Sequence, residues 1–106
     1  MARPERMTAL AVGDRQVLLL FLRGGSRQAN PGPYGGMIPP HDAGGQIHVG
    51  FAIAADELDA WERRLAEFGI TIESRIYGTR GGQSLYFRDP DEHLVELLTP
   101  GVWAVY

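Results

Sequence analysis

The chain contains no cysteine and no lysine. Without cysteine, disulfides, thiolate nucleophiles and Cys-ligated metals are excluded, and any transition metal must be held by His, Asp, Glu or water. All ten basic residues are arginine, a side chain suited to anion contacts. Long apolar runs are also missing. The longest, Val17 to Leu22, is far too short to span a bilayer, and the opening Met1-Ala2-Arg3-Pro4-Glu5-Arg6 has no apolar signal core. A cytoplasmic location is therefore expected. The net charge of −3 argues against nucleic acid or an anionic membrane as partner. The 106 residues, 44% hydrophobic and 22% charged, suit one modest soluble domain with one core.

Residues 7–12 read as a strand, Gly13-Asp14 as a turn and 16–22 as a second strand. The second strand is apolar on both faces, which predicts a buried position. Residues 24–46 are rich in Gly and Pro, lack periodicity and read as a linker between two halves of a fold. Residues 47–53 form the next predicted strand. Val49, Phe51 and Ile53 share its bulky face, and His48, Gly50 and Ala52 share a face that leaves space above the sheet. Taken alone, His48 reads as a strand-end histidine satisfied by a backbone group or water.

Residues 56–68 form the one predicted helix, with Leu58, Trp61, Leu65 and Phe68 on one face and Trp61 as a core anchor. Asp56 and Glu57 suit its N-terminal dipole, and Gly69 suits a left-handed stop. Arg63, Arg64 and Glu67 read as a solvated face. Residues 70–77 read as a strand. Gly78-Thr79-Arg80-Gly81-Gly82 reads as a turn, and lacks the Lys-Ser/Thr pair and following helix of a phosphate loop. Residues 83–88 and 94–99 are strands joined through Asp89-Pro90-Asp91, where an acidic side chain caps backbone donors and a proline pre-sets φ. Glu96 falls in the otherwise apolar Leu94-Val95-Glu96-Leu97-Leu98. A buried carboxylate is costly unless it meets a cation or several donors, so Glu96 needs a partner. Residues 100–106 form a short tail that packs on the body or on a partner.

The strand–helix–strand–strand–strand order, opened by Gln46-Ile47-His48-Val49-Gly50-Phe51 and closed by Tyr86-Phe87-Arg88-Asp89-Pro90-Asp91-Glu92-His93-Leu94-Val95-Glu96-Leu97, resembles the vicinal oxygen chelate superfamily. That group includes glyoxalase I, fosfomycin-resistance and bleomycin-resistance proteins, and extradiol dioxygenases. The resemblance implies an α+β fold: a cupped mixed sheet with a helix on its outer face. It implies a single domain over 1–106, with a partial first module of two strands at 7–23, a linker at 24–46, a complete βαβββ module at 47–99 and a tail at 100–106. The opening strand and helix of the first module look absent.

By the same resemblance, His48 and Glu96 match the metal ligands on the first and last strands of a module. A divalent ion (manganese, zinc, iron or nickel) would be the cofactor, chelating an oxygen-rich small molecule through neighbouring oxygens and acting on it as a Lewis acid. Glu96 is the catalytic residue if it can also act as a base. Tyr86 and Arg80 are candidate substrate contacts. A third histidine of three-ligand relatives has no equivalent, because His41 lies in the linker and His93 in the turn. Glu92 stands where relatives often carry glycine. The shortened first module predicts a homodimer that covers the exposed edge. Two alternatives stay open. One is a metal-free drug- or metabolite-binding homodimer with a groove walled by Trp103, Tyr106 and Tyr34. The other is an inactive truncated relative.

Overall fold

The computed structural model describes residues 6–106. The chain divides into two compact units, Met1–Gly44 and Gly45–Tyr106. In the first, β1 (Met7–Val12) and β2 (Gln16–Phe21) form an antiparallel hairpin in which Val12 stands opposite Gln16 and Met7 opposite Phe21. The turn between them uses Gly13 at a φ of 65°, a left-handed conformation that glycine adopts without penalty.

The expectation that β2 is buried is not met. Leu18 is half-buried, but Val17, Leu19, Leu20, Phe21 and Leu22 are all exposed, Val17 by 64%. A two-stranded ribbon has no second layer of its own, so neither face of β2 is closed within this unit. Among the described residues, every buried hydrophobic side chain belongs to the second unit.

The segment read as a linker is ordered by polar contacts. Two short strands, β3 (Asn30–Pro31) and β4 (Met37–Ile38), pair antiparallel. Ser26 is buried and accepts a bond from Arg6 Nη1 at 2.5 Å. Asp42 accepts the Gly24 amide at 2.8 Å and Arg27 Nε at 3.1 Å, and these donors hold its carboxyl below the usual range. His41 meets the Phe21 ring edge-on, with centroids 4.3 Å apart.

The second unit is a four-stranded mixed sheet in the order β5-β8-β7-β6. β5 (His48–Ala52) runs parallel to β8 (Leu94–Leu98), while β7 (Gln83–Arg88) lies antiparallel to both β8 and β6 (Ser74–Tyr77). The α+β class and the strand–helix–strand–strand–strand order are as expected. One helical element covers one face of this sheet. It starts as a 3-10 turn (Ala55–Glu57), in which Glu57 Oε1 accepts the Ala54 amide at 2.9 Å, and continues as α1 (Leu58–Glu67). The core comprises Ile53, Leu58, Leu65, Leu85 and Leu97, flanked by Phe51, Ile70, Ile72 and Phe87.

The helix does not bury the face its spacing predicted. Trp61 is 37% exposed and Phe68 is 69% exposed. At about 100° per residue, Leu58 and Leu65 stand within about 20° of one another, whereas Trp61 and Phe68 are rotated about 60–80° from Leu58. Leu85 and Leu97 of the sheet pack with the two leucines, and the larger rings fall on the shoulder of the stripe. Glu62 occupies the opposite shoulder and pairs with Arg75 of β6, Oε1 to Nη2 at 2.7 Å and Oε2 to Nη1 at 3.2 Å. Arg64 lies over the Phe68 ring, 5.4 Å from its centroid.

Gly69, at a φ of 70°, ends the helix as its position predicted. Its amide donates to Ala66 O at 3.0 Å and the Ile70 amide to Leu65 O at 2.9 Å, satisfying two last-turn carbonyls. This return toward the helix delays the next strand. Pairing with β7 begins only near Glu73, whose amide reaches Tyr86 O, so β6 starts at Ser74 rather than residue 70.

Hydrogen bonds from Arg75 outweigh partial burial and depress the Glu62 carboxyl below its ordinary value of 4.5. A depressed carboxyl adds stability that is complete above the unfolded value and is lost as pH falls through the folded one. Glu62→Gln should therefore cost about 0.5–1 kcal/mol at neutral pH. The gap from wild type should close as urea unfolding is repeated downward from about pH 5.

Candidate functional site

Two strand registers and one turn bring the site together. Asp89 carries the turn: its Oδ1 accepts the amides of Asp91 at 2.9 Å and His93 at 2.8 Å, and its own amide donates to His93 O at 3.0 Å. Pro90 supplies the fixed φ between them. Glu92 takes a φ of 69°, the left-handed conformation expected at a position where glycine is at ease. Arg88 Nη1 donates to its carbonyl at 3.2 Å. This closure sets Arg88 opposite Leu94, Tyr86 opposite Glu96 and Ser84 opposite Leu98.

The parallel pairing then sets His48 opposite Leu94 and Gly50 opposite Glu96. His93 secures that register. Its Nδ1 accepts the Ile47 amide at 3.0 Å, just where the Leu94 amide donates to Ile47 O at 2.8 Å. His93 thus has a strand-locking role that the sequence reading did not assign.

With side chains alternating across the sheet, His48, Glu96, Ser84 and Tyr86 project from the face opposite α1. Glu96 is 2% exposed. Its Oε1 lies 3.0 Å from His48 Nε2, and its Oε2 accepts a hydrogen bond from Ser84 Oγ at 2.6 Å. The need for a partner is met on both oxygens. His48 itself is half exposed, so one end of the pair is open and the other is deep. The Tyr86 ring is tilted against that of His48, with centroids 5.9 Å apart. Burial first, and then the Glu96 carboxylate, push the Tyr86 phenol above its usual value, keeping it a protonated donor.

Two further observations bear on whether an ion fits. First, imidazole nitrogen and carboxylate oxygen suit a divalent ion, and ligands about 2.0–2.2 Å from a common ion stand about 2.8–3.6 Å apart, from the right angle of an octahedral site to the wider angle of a tetrahedral one. The separation of 3.0 Å falls within that span. Second, a Cβ built on Gly50 would come 3.2 Å from Leu98 Cδ2 and 3.7 Å from Glu96 Oε1, so glycine keeps the space beside that oxygen clear. Among the described residues, no group of three or more His, Cys, Asp or Glu side chains gathers at one point. His48 and Glu96 are, among the described residues, the two side chains of this kind that meet on this face.

Arg80 is engaged with the tail. Its guanidinium donates to the Trp103 carbonyl, and the Tyr106 hydroxyl donates to Ile53 O at 3.2 Å. The tail thus packs on the body of its own unit. The glycines of the 78–82 turn permit this: a Cβ on Gly78 would fall 2.3 Å from Gly101 O, and one on Gly82 would fall 2.5 Å from Pro100 O. Tyr34 is fully exposed in the first unit.

The family model described as the Glyoxalase/Bleomycin resistance protein/Dioxygenase superfamily matches residues 2–97. The chain belongs to that superfamily. Its similarity to a crystal structure of lactoylglutathione lyase from Agrobacterium tumefaciens covers 98% of this chain and 75% of that one, with a TM-score of 0.78 and 31% identity. Among curated proteins, the metallothiol transferase FosB of Shouchella clausii (strain KSM-K16) is 46% identical over 55 residues, which are 49% of this chain and 37% of that protein. The fosfomycin resistance protein FosX of Listeria innocua serovar 6a is 42% identical over 53 residues, 47% of this chain and 38% of that protein. The chain spans about two fifths of the length of the curated relatives it matches.

The left-handed Glu92 offers a direct check on the turn that sets the site's register. Glu92→Gly should stabilise the protein by about 0.5–1 kcal/mol, read as a higher urea midpoint with an unchanged slope.

Proposed function

We propose that this chain binds a divalent metal ion through His48 Nε2 and Glu96 Oε1 and acts on an oxygen-rich small molecule chelated beside it. The observation that carries this reading is the approach of those two atoms to 3.0 Å, from side chains 48 residues apart, on the open face of one sheet. The names of the relatives, a metallothiol transferase, a fosfomycin resistance protein and a lactoylglutathione lyase, support small-molecule chemistry of this kind.

The bound ion would supply Lewis-acid polarisation of a substrate oxygen. The chain's own residues do the rest. His48 offers a ring nitrogen from the exposed rim. Glu96 offers one oxygen from the floor, where exclusion of water strengthens its interactions. Gly50 leaves room beside that oxygen, and the protonated Tyr86 hydroxyl is a donor for an oxygen of the substrate. Glu96 becomes a base only if Oε1 is released.

The exposed apolar side chains of β2 support assembly as a homodimer, because a lone hairpin gains little from its own contacts. Protein purified without chelator and incubated with manganese, zinc, iron or nickel should carry about one ion per chain. Light scattering should give twice the monomer mass. Glu96→Gln and His48→Ala should each lower the metal content by more than about tenfold. Less than roughly a tenth of an equivalent on the wild type would overturn the metal reading. A small molecule that raises the melting temperature equally with and without EDTA would favour metal-free binding instead.

A further inference from the structure

We infer that Ser84 is a positioning residue for the proposed metal site: its hydroxyl holds Glu96 so that a single oxygen, Oε1, faces His48 and the ion. This rests on the metal reading given above and adds a residue to it.

The terminal torsion of a glutamate is broad, so an unheld carboxylate swings freely and can present either oxygen, or both, to a cation. Here the two oxygens are distinguished. Ser84 Oγ has one proton to donate and gives it to Oε2 at 2.6 Å, a short, charge-assisted bond. Oε1 is left directed at His48 Nε2.

Ser84 is well placed to hold that geometry. It is 0% exposed on β7, next to the fully buried Leu85, with antiparallel neighbours on both sides. It is paired with Leu98, two residues along β8 from Glu96, so its short side chain reaches the carboxylate diagonally across the same face. Every buried polar side-chain atom among the described residues has a partner, and the Ser84–Glu96 bond is part of that balance. Groups that bond to a metal-ligating side chain fix its orientation, and their removal typically weakens metal binding about 10–100-fold. Ser84 touches neither the ion nor the substrate in this scheme. It acts through Glu96.

The test is calorimetric titration of the full chain with Mn²⁺ and Zn²⁺, run on wild type, Ser84→Ala, Ser84→Thr, Ser84→Cys and Glu96→Gln. Ser84→Ala should weaken Mn²⁺ binding about tenfold or more. Ser84→Thr, which keeps the hydroxyl, should restore it to within about threefold, while Glu96→Gln should abolish it. If Ser84→Ala does not fold, Ser84→Cys supplies the comparison, because a thiol fills similar space and donates weakly. It should then show a loss of about tenfold. Affinity of the alanine or cysteine variant within about twofold of a wild type that binds through Glu96 would overturn the Ser84 role and leave the metal site standing. Failure of the wild type to bind either ion would overturn both.

Discussion

A carboxylate lying inside a sheet governs this molecule. Leaving Glu96 without partners would cost several kcal/mol, more than most single contacts return. The chain meets that demand with one hydroxyl and one imidazole, each on a different neighbouring strand. The order of the strands follows from it: β8 must be interior, with β5 on one side to bring His48 and β7 on the other to bring Ser84 and Tyr86. The helix then closes the opposite face and leaves the polar side chains on the other.

The hairpin that carries Glu96 was legible in the sequence because its turn chemistry is local. Asp89 and Pro90 announce the reversal, and alternation fixes which side chains share a face. His48 taken alone read as a satisfied strand-end histidine, and it was the likeness to superfamily members that paired it with Glu96. Ser84 was not singled out, although the turn register already sets Tyr86 opposite Glu96 and Ser84 two residues away on the same face. A small hydroxyl in a strand adds nothing to periodicity, so only the register reveals it. The strand-locking role of His93 was hidden for a related reason, because it depends on a parallel partner 46 residues distant.

The misreadings have physical causes too. Spacing alone placed Trp61 at the centre of the helix's apolar stripe, yet burial depends on where the sheet offers depth, and it offers that to Leu58 and Leu65. The run from Val17 to Leu22 looked like a central strand. Its hydrophobicity records what the segment can bury, and a hairpin by itself supplies no layer to do it. The Gly-Pro-rich stretch that followed had no period to read, and its order comes from individual polar bonds at Ser26 and Asp42.

The parallel pairing of β5 with β8 differs in kind from the other contacts of its sheet. β6, β7 and β8 are joined by tight reversals and can zip together locally, whereas β5 must wait for the whole intervening helix and hairpin before it finds its place. His48 and Glu96 sit on either side of that last seam. Anything that bridges them fastens the junction of greatest sequence separation in the sheet, so a bound ligand would act as a clasp on the fold. Occupancy and completed folding would then be read by the same signal.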